Sequence, residues 1–172
     1  MKKAAALFVS ILILAAGIFS SCSVNIIDNN AVILNDNAAG MIDPGFHAAN
    51  HIRGVYEEDG THIDDETLPE SRYFIVRSRE EQDAIFIPGT DLDVNYSDEM
   101  ILVYTFRAIY VRPIRLQKLI TGTDQIDIEL NMRTNRGVHA VFVADACQPF
   151  QRYVIIKMDS ISTSEVQFKV ID

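Results

Sequence analysis

His47 and His51 stand four residues apart, the spacing that puts two imidazoles on one face of a helix and within reach of one metal ion. The zinc-protease form of that pair needs Glu directly after the first His, and Ala48 occupies the place. Pro44, Gly45 and Asn50 flank the pair and argue against a stable helix, while His62 and His139 have no ligand-like spacing. The histidines are therefore expected to hold no metal. Asp91, Asp93 and Asn95 alternate like the opening of a calcium loop. Tyr96 stands where the sharp turn needs Gly, however, and Leu102 where a bidentate Glu should close the loop. Neither a Gly-x-Ser-x-Gly elbow nor a glycine-rich phosphate loop occurs. No enzyme activity and no cofactor is expected.

Charge narrows the partners. The chain has 15 Lys and Arg against 24 Asp and Glu, a formal charge of −9. A chain this acidic is a poor ligand for nucleic acid or for an anionic lipid surface. Glu57, Glu58, Asp59, Asp64, Asp65, Glu66 and Glu70 crowd one loop, broken by Gly60 and Pro69. That 57–70 loop has enough carboxylates for a cation or small-ligand site but no defined spacing. Basic residues gather instead at Arg107, Arg112, Arg115 and Lys118, with Arg133 and Arg136 further on. On a strand edge such residues block sheet-to-sheet aggregation. They are also the candidate protein-contact residues.

Cys22 carries the other chemistry. Lys2 and Lys3 precede an uncharged apolar run from Ala4 to Phe19, then Ser20-Ser21-Cys22. A basic start, a short apolar core and small residues before a cleavage point form an export signal. The run is too short for a comfortable membrane span, which needs roughly 20 apolar residues. Its end resembles a bacterial lipoprotein signal, in which residues 1–21 are removed and the Cys22 thiol receives palmitate-type acyl chains. Phe19 and Ser21 make the box loose, and an ordinary secretory signal is the alternative. Losing Lys2 and Lys3 takes the charge to about −11 and leaves roughly 150 residues, enough for one domain with a real core. With Cys22 lipidated, Cys147 has no intramolecular partner, so packing must stabilise the fold. Cys147 itself reads as a small buried hydrophobe, a reactive thiol being the alternative.

The elements that must position these residues are mostly strands. Residues 22–50 are rich in Asn, Gly and Pro and read as a partly ordered tether, with residues 51–172 as a single β-rich domain. His51 to Tyr56 and Arg72 to Arg77 are predicted strands, and Ser78-Arg79-Glu80-Glu81 opens a short helix over about 79–85 through a capping box. Met100 to Phe106 is nearly continuous in apolar residues, as a central strand requires. Ile126, Ile128, Leu130 and Met132 alternate with Asp127, Glu129, Asn131 and Arg133, giving one dry and one wet face. Val138 to Ala144, Tyr153 to Met158 and the Val166-Phe168-Val170 alternation complete the set. The predicted class is all-β, or β-rich α+β: a β-sandwich or a strongly curved antiparallel sheet with one short helix.

Three segments together resemble the protease complex subunit PrcB family of bacterial lipoproteins. They are Tyr73-Phe74-Ile75-Val76-Arg77-Ser78-Arg79-Glu80-Glu81, Asp93-Val94-Asn95-Tyr96-Ser97-Asp98-Glu99-Met100-Ile101-Leu102-Val103, and Ala146-Cys147-Gln148-Pro149-Phe150 leading into Tyr153-Val154-Ile155-Ile156-Lys157. The likeness spans about residues 72–158. Where that family commonly has Gly-Gly-Tyr after the hydrophobic strand, this chain has Arg107-Ala108-Ile109-Tyr110. The resemblance implies a non-catalytic β domain that helps assemble or stabilise a protease at the cell envelope. The expected function is thus protein–protein contact by a lipid-anchored, extracytoplasmic domain of the bacterial envelope. Its partner is an envelope protein, a protease in the narrower form, and its membrane contact is the lipid on Cys22. Contact through an exposed sheet edge or the 107–118 segment, by strand addition, is the expected mode. A cation- or ligand-binding module built on the acidic loop is the alternative, and an unrecognised hydrolase the third reading.

Overall fold

Both faces of the most apolar segment are covered, which is why it carries no alternation. In the computed structural model, which describes residues 26–27, 29–132, 148–162 and 165–171, this segment is strand β6 (Glu99–Ala108). Its neighbours are β5 (Ser71–Val76) on one side and β9 (Phe150–Asp159) on the other, both antiparallel. With β2 (Val32–Asn35) they form a four-stranded sheet in the order β2-β9-β6-β5. The second four-stranded sheet has the order β1-β7-β8-β10, from Ile26–Ile27, Arg115–Thr121, Gln125–Asn131 and Glu165–Ile171. A small hairpin, β3 (Val55–Tyr56) with β4 (His62–Ile63), stands apart from both.

The fold is β-rich, as predicted, with an antiparallel first sheet and a mixed second sheet enclosing one core. Met100, Leu102, Tyr104 and Phe106 of β6 and Val154, Ile156 and Met158 of β9 meet Leu119 of β7 and Ile126, Ile128 and Leu130 of β8. Tyr104 stacks on Phe168 of β10 with ring centroids 4.0 Å apart. Two strand pairs are parallel, β1 with β7 and β10 with β8. A parallel neighbour needs a long crossover, and β9, lying in the opposite sheet, is part of the path from β8 to β10.

The alternate residues of β6 and β9 face a third layer. Ile101, Val103, Tyr153 and Ile155 pack under Ala38, Ile42, Ile85, Phe86 and Leu92. This layer holds a 3-10 turn (Ala38–Met41), helix α1 (Pro44–Ala49) and helix α2 (Arg79–Ile85). The predicted helix is α2, where the Ser78 hydroxyl accepts from the Glu81 amide at 3.2 Å. The Glu81 carboxylate reaches back to the Arg77 amide at 2.6 Å, one residue beyond the cap.

Two expectations are corrected here. Residues 31–50, expected as part of a tether, belong to the body: β2 pairs with β9, and Ala31, Ala38 and Ile42 are buried. Their short apolar pieces show no period because each docks separately on an existing sheet. The 43–50 segment is helical despite Pro44 and Gly45. Asp43 caps it by accepting from the amides of Gly45 and Phe46, and Pro44 occupies the first helical turn, where its missing N–H costs nothing. The leader, Cys22, Cys147, His139, Arg133, Arg136 and the strand expected at Val138 to Ala144 lie outside the described residues. Among the described residues no helix is long and apolar enough to cross a membrane.

Candidate functional site

The four candidate contact residues do not share one strand. Arg107 lies near the end of β6, in the centre of the first sheet, facing the helical layer beside Gly54. Arg112 sits in the β6–β7 connection, while Arg115 and Lys118 lie on β7 of the second sheet. Strand β7 is not free for strand addition along its length, because Ile26 pairs with Lys118 and Ile27 with Leu119. Among the described residues, β10 and β5 are the outer strands of the two sheets at the ends opposite β1 and β2.

What the basic segment does flank is an apolar tip. Ile109, Tyr110 and Val111 are 49%, 50% and 61% exposed, and the Arg112 guanidinium lies 5.1 Å above the Tyr110 ring. The tip is held from below by a buried charge. Arg152 of β9 is fully buried and donates from Nη2 to the Arg112 carbonyl at 2.7 Å and from Nε to the Asp36 carbonyl at 2.7 Å. Asp36 Oδ2 lies 3.5 Å from the same guanidinium and accepts from the Ile114 amide at 2.9 Å. Burial pulls the Arg152 pKa below its ordinary value, while the Asp36 carboxylate opposes that shift.

A second constellation lies on the helical-layer face of the first sheet. Helix α1 packs Phe46 edge-on against Phe74, at 4.9 Å between centroids, and so directs His47 toward the sheet. His47 Nδ1 lies 2.8 Å from the Tyr153 hydroxyl and His47 Nε2 lies 3.0 Å from Glu57 Oε2. His51 follows the helix, its Nε2 3.3 Å from Glu57 Oε1. Glu57 comes from the turn of the β3–β4 hairpin, which is tied to the body by the Tyr56 amide on the Pro149 carbonyl at 2.7 Å.

Gln151 anchors the hydrogen bonds of this cluster. Its Oε1 accepts from the Ile52 amide, and its Nε2 donates to the Asn50 carbonyl and to the Tyr153 hydroxyl. The phenol oxygen is therefore an acceptor toward Gln151, and its own hydrogen has two acceptors in reach: given to His47 Nδ1 it goes with the His47 tautomer protonated on Nε2, and given to Thr105 Oγ1 it goes with the one protonated on Nδ1. Burial, and then the Glu57 carboxylate, push the Tyr153 phenol well above its ordinary pKa, so it remains a donor. Two buried oxygens lack an aligned hydrogen-bond partner among the described residues: Glu57 Oε1 and Thr105 Oγ1. Thr105 stands opposite Tyr153 in the β6–β9 register.

Three other carboxylates of the acidic loop are committed elsewhere. Asp59 accepts from the Thr61 amide, and Asp65 from the Thr67 amide and hydroxyl, which hold both carboxyls below the ordinary range. Glu70 pairs with Arg53 at 2.6 Å. Of the three, none converges with another on a cation site; Glu57 alone of the loop turns to the histidines. Sequence spacing singled out His47 and His51, and the acidic 57–70 loop included Glu57 as a cation-site candidate, but nothing in the sequence joined the two or pointed to Gln151 or Tyr153. Asp91, Asp93 and Asn95 likewise form local turns, with Asp91 Oδ1 accepting from the Asp93 amide and the Asn95 amide donating to Glu99.

No protein-family model, no curated protein and no solved structure matches the chain.

Proposed function

We propose that this chain is a lipid-anchored, extracytoplasmic domain of the bacterial envelope that acts by protein contact and performs no catalysis of its own. The observation that carries the reading is the Ile109-Tyr110-Val111 tip, three large apolar side chains about half exposed or more. Such contiguous exposure costs solubility and marks interaction surfaces. The tip is also preorganised, because buried Arg152 fixes the Arg112 carbonyl beneath it. Preorganisation lowers the ordering cost of binding. Arg107 and Arg112 flank the tip, so the fitting partner offers an apolar socket rimmed by carboxylates. The leader sequence supports the location, and the resemblance to PrcB-type lipoproteins supports the narrower form, an accessory subunit of an envelope protease.

The test is site-specific photo-crosslinking from position 111 in cells producing the full chain. One envelope protein is expected in the crosslinked band, lost on Ile109→Asp and weakened on Arg112→Glu. Absence of any band, or one unchanged by both substitutions, removes the reading.

A further inference from the structure

We propose that His47, His51 and Glu57 form a three-ligand site for a zinc-class divalent transition metal ion. The three residues come from separate stations, a helix, the residue beyond its cap, and a hairpin turn. They nonetheless bring two imidazole nitrogens and a carboxylate oxygen within 4.8 Å of one another. Zinc bonds of about 2.1 Å in a tetrahedron place neighbouring ligand atoms about 3.4 Å apart. The observed separations, 3.0 Å from His47 Nε2 to Glu57 Oε2 and 3.3 Å from His51 Nε2 to Glu57 Oε1, lie close to that edge, each imidazole facing its own oxygen of the one carboxylate.

The donor set selects the class of ion. Imidazole nitrogens favour zinc, cobalt or nickel over calcium, which wants six to eight oxygens. The surroundings match what a bound histidine needs. His47 Nδ1 is held by Tyr153, which Gln151 holds in turn, and Arg72 Nε donates to the His51 carbonyl at 3.3 Å. The Tyr153 contact orients the His47 imidazole as outer partners of ligating histidines do, while Arg72 holds the His51 backbone. Binding at His47 Nε2 requires the tautomer with its proton on Nδ1. That proton is then donated to the Tyr153 oxygen, and the phenol hydrogen turns to Thr105 Oγ1, the buried acceptor without an aligned partner. Glu57 Oε1, buried and likewise without an aligned partner, gains the ion. Side-chain exposures of 28%, 22% and 23% leave room for water in a fourth position.

The experiment uses the full chain in detergent, in a Cys147→Ser background that removes a competing thiol, after dialysis against chelator. Titration with cobalt(II) and zinc is expected to show one equivalent bound, with cobalt d–d bands of a four-coordinate nitrogen–oxygen site and a raised Tm with zinc. Millimolar calcium is expected to leave Tm unchanged. His51→Gln and Glu57→Gln should each weaken binding at least tenfold, with the near-ultraviolet circular dichroism confirming the fold. Tyr153→Phe, which touches the ion only through His47, should weaken it about tenfold or more. Affinity unaltered by both ligand substitutions, or no binding at micromolar metal, would overturn the proposal. Should a variant fail to fold, X-ray absorption of the cobalt-loaded parent decides: imidazole scattering supports the site and its absence removes it.

Discussion

Arg152 donates from Nη2 to the backbone carbonyl of Arg112 at 2.7 Å, joining a fully buried guanidinium of β9 to the base of the exposed β6–β7 tip. Its Nε binds the Asp36 carbonyl, so one side chain closes three segments that are far apart in sequence.

Replacing Arg152 with Met should cost about 2–4 kcal/mol, because the half-buried Asp36 and Arg112 carbonyls lose a charged donor and Asp36 loses its cation. Arg152→Lys should recover little, since an ammonium on one stem cannot span both carbonyls as a planar fork does. Urea denaturation with an unchanged m-value is the measurement.

Ser78→Ala removes the hydroxyl that caps α2 and should cost about 1 kcal/mol. A Ser78→Asp replacement, restoring an acceptor at the cap, should recover most of it. Thermal melts of the pair decide.

Tyr96 donates to Gln82 Oε1 at 2.8 Å, and burial first, with nearby Glu81 and Asp83 adding to it, raises its phenol to about 12. A folded pKa above the unfolded value of about 10 stabilises the protein fully below pH 10. That share is lost as pH rises through 12. Tyr96→Phe should therefore flatten this alkaline part of the stability curve, and a spectrophotometric tyrosinate titration should lose a component near pH 12 while the higher one of Tyr153 stays.

Gly54 has φ of +75°, and a Cβ there would stand 3.0 Å from Arg107 Nη1. Gly54→Ala should cost about 1–2 kcal/mol from the left-handed backbone alone. The Arg107 side chain must also shift, so a companion Arg107→Ala should relieve only the smaller part. A double-mutant cycle separates the two.

Several elements were legible because their signals are local. The alternation from Ile126 to Met132 became a strand with Ile126, Ile128 and Leu130 inward, and Ser78 with Glu81 marked the start of α2. The unbroken apolar run of β6 indicated burial on both faces, which the third layer supplies. Helix α1 was misjudged because Pro44 and Gly45 were read as breakers, whereas at the first turn after an Asp43 cap they are compatible with helix. The basic residues from Arg107 to Lys118 read as one surface, yet a sheet change after β6 distributes them over two sheets.

Composition and period by themselves determined that this chain is acidic and β-rich, since charge, alternation and capping are properties of neighbouring residues. Which residues meet was decided only by tertiary structure. Register between β6 and β9 sets Thr105 across from Tyr153, and the docking of α1 and the β3–β4 hairpin over that row brings Glu57 to His47 and His51. No local pattern encodes those meetings, because each depends on the packing of segments that are separated by up to about a hundred residues.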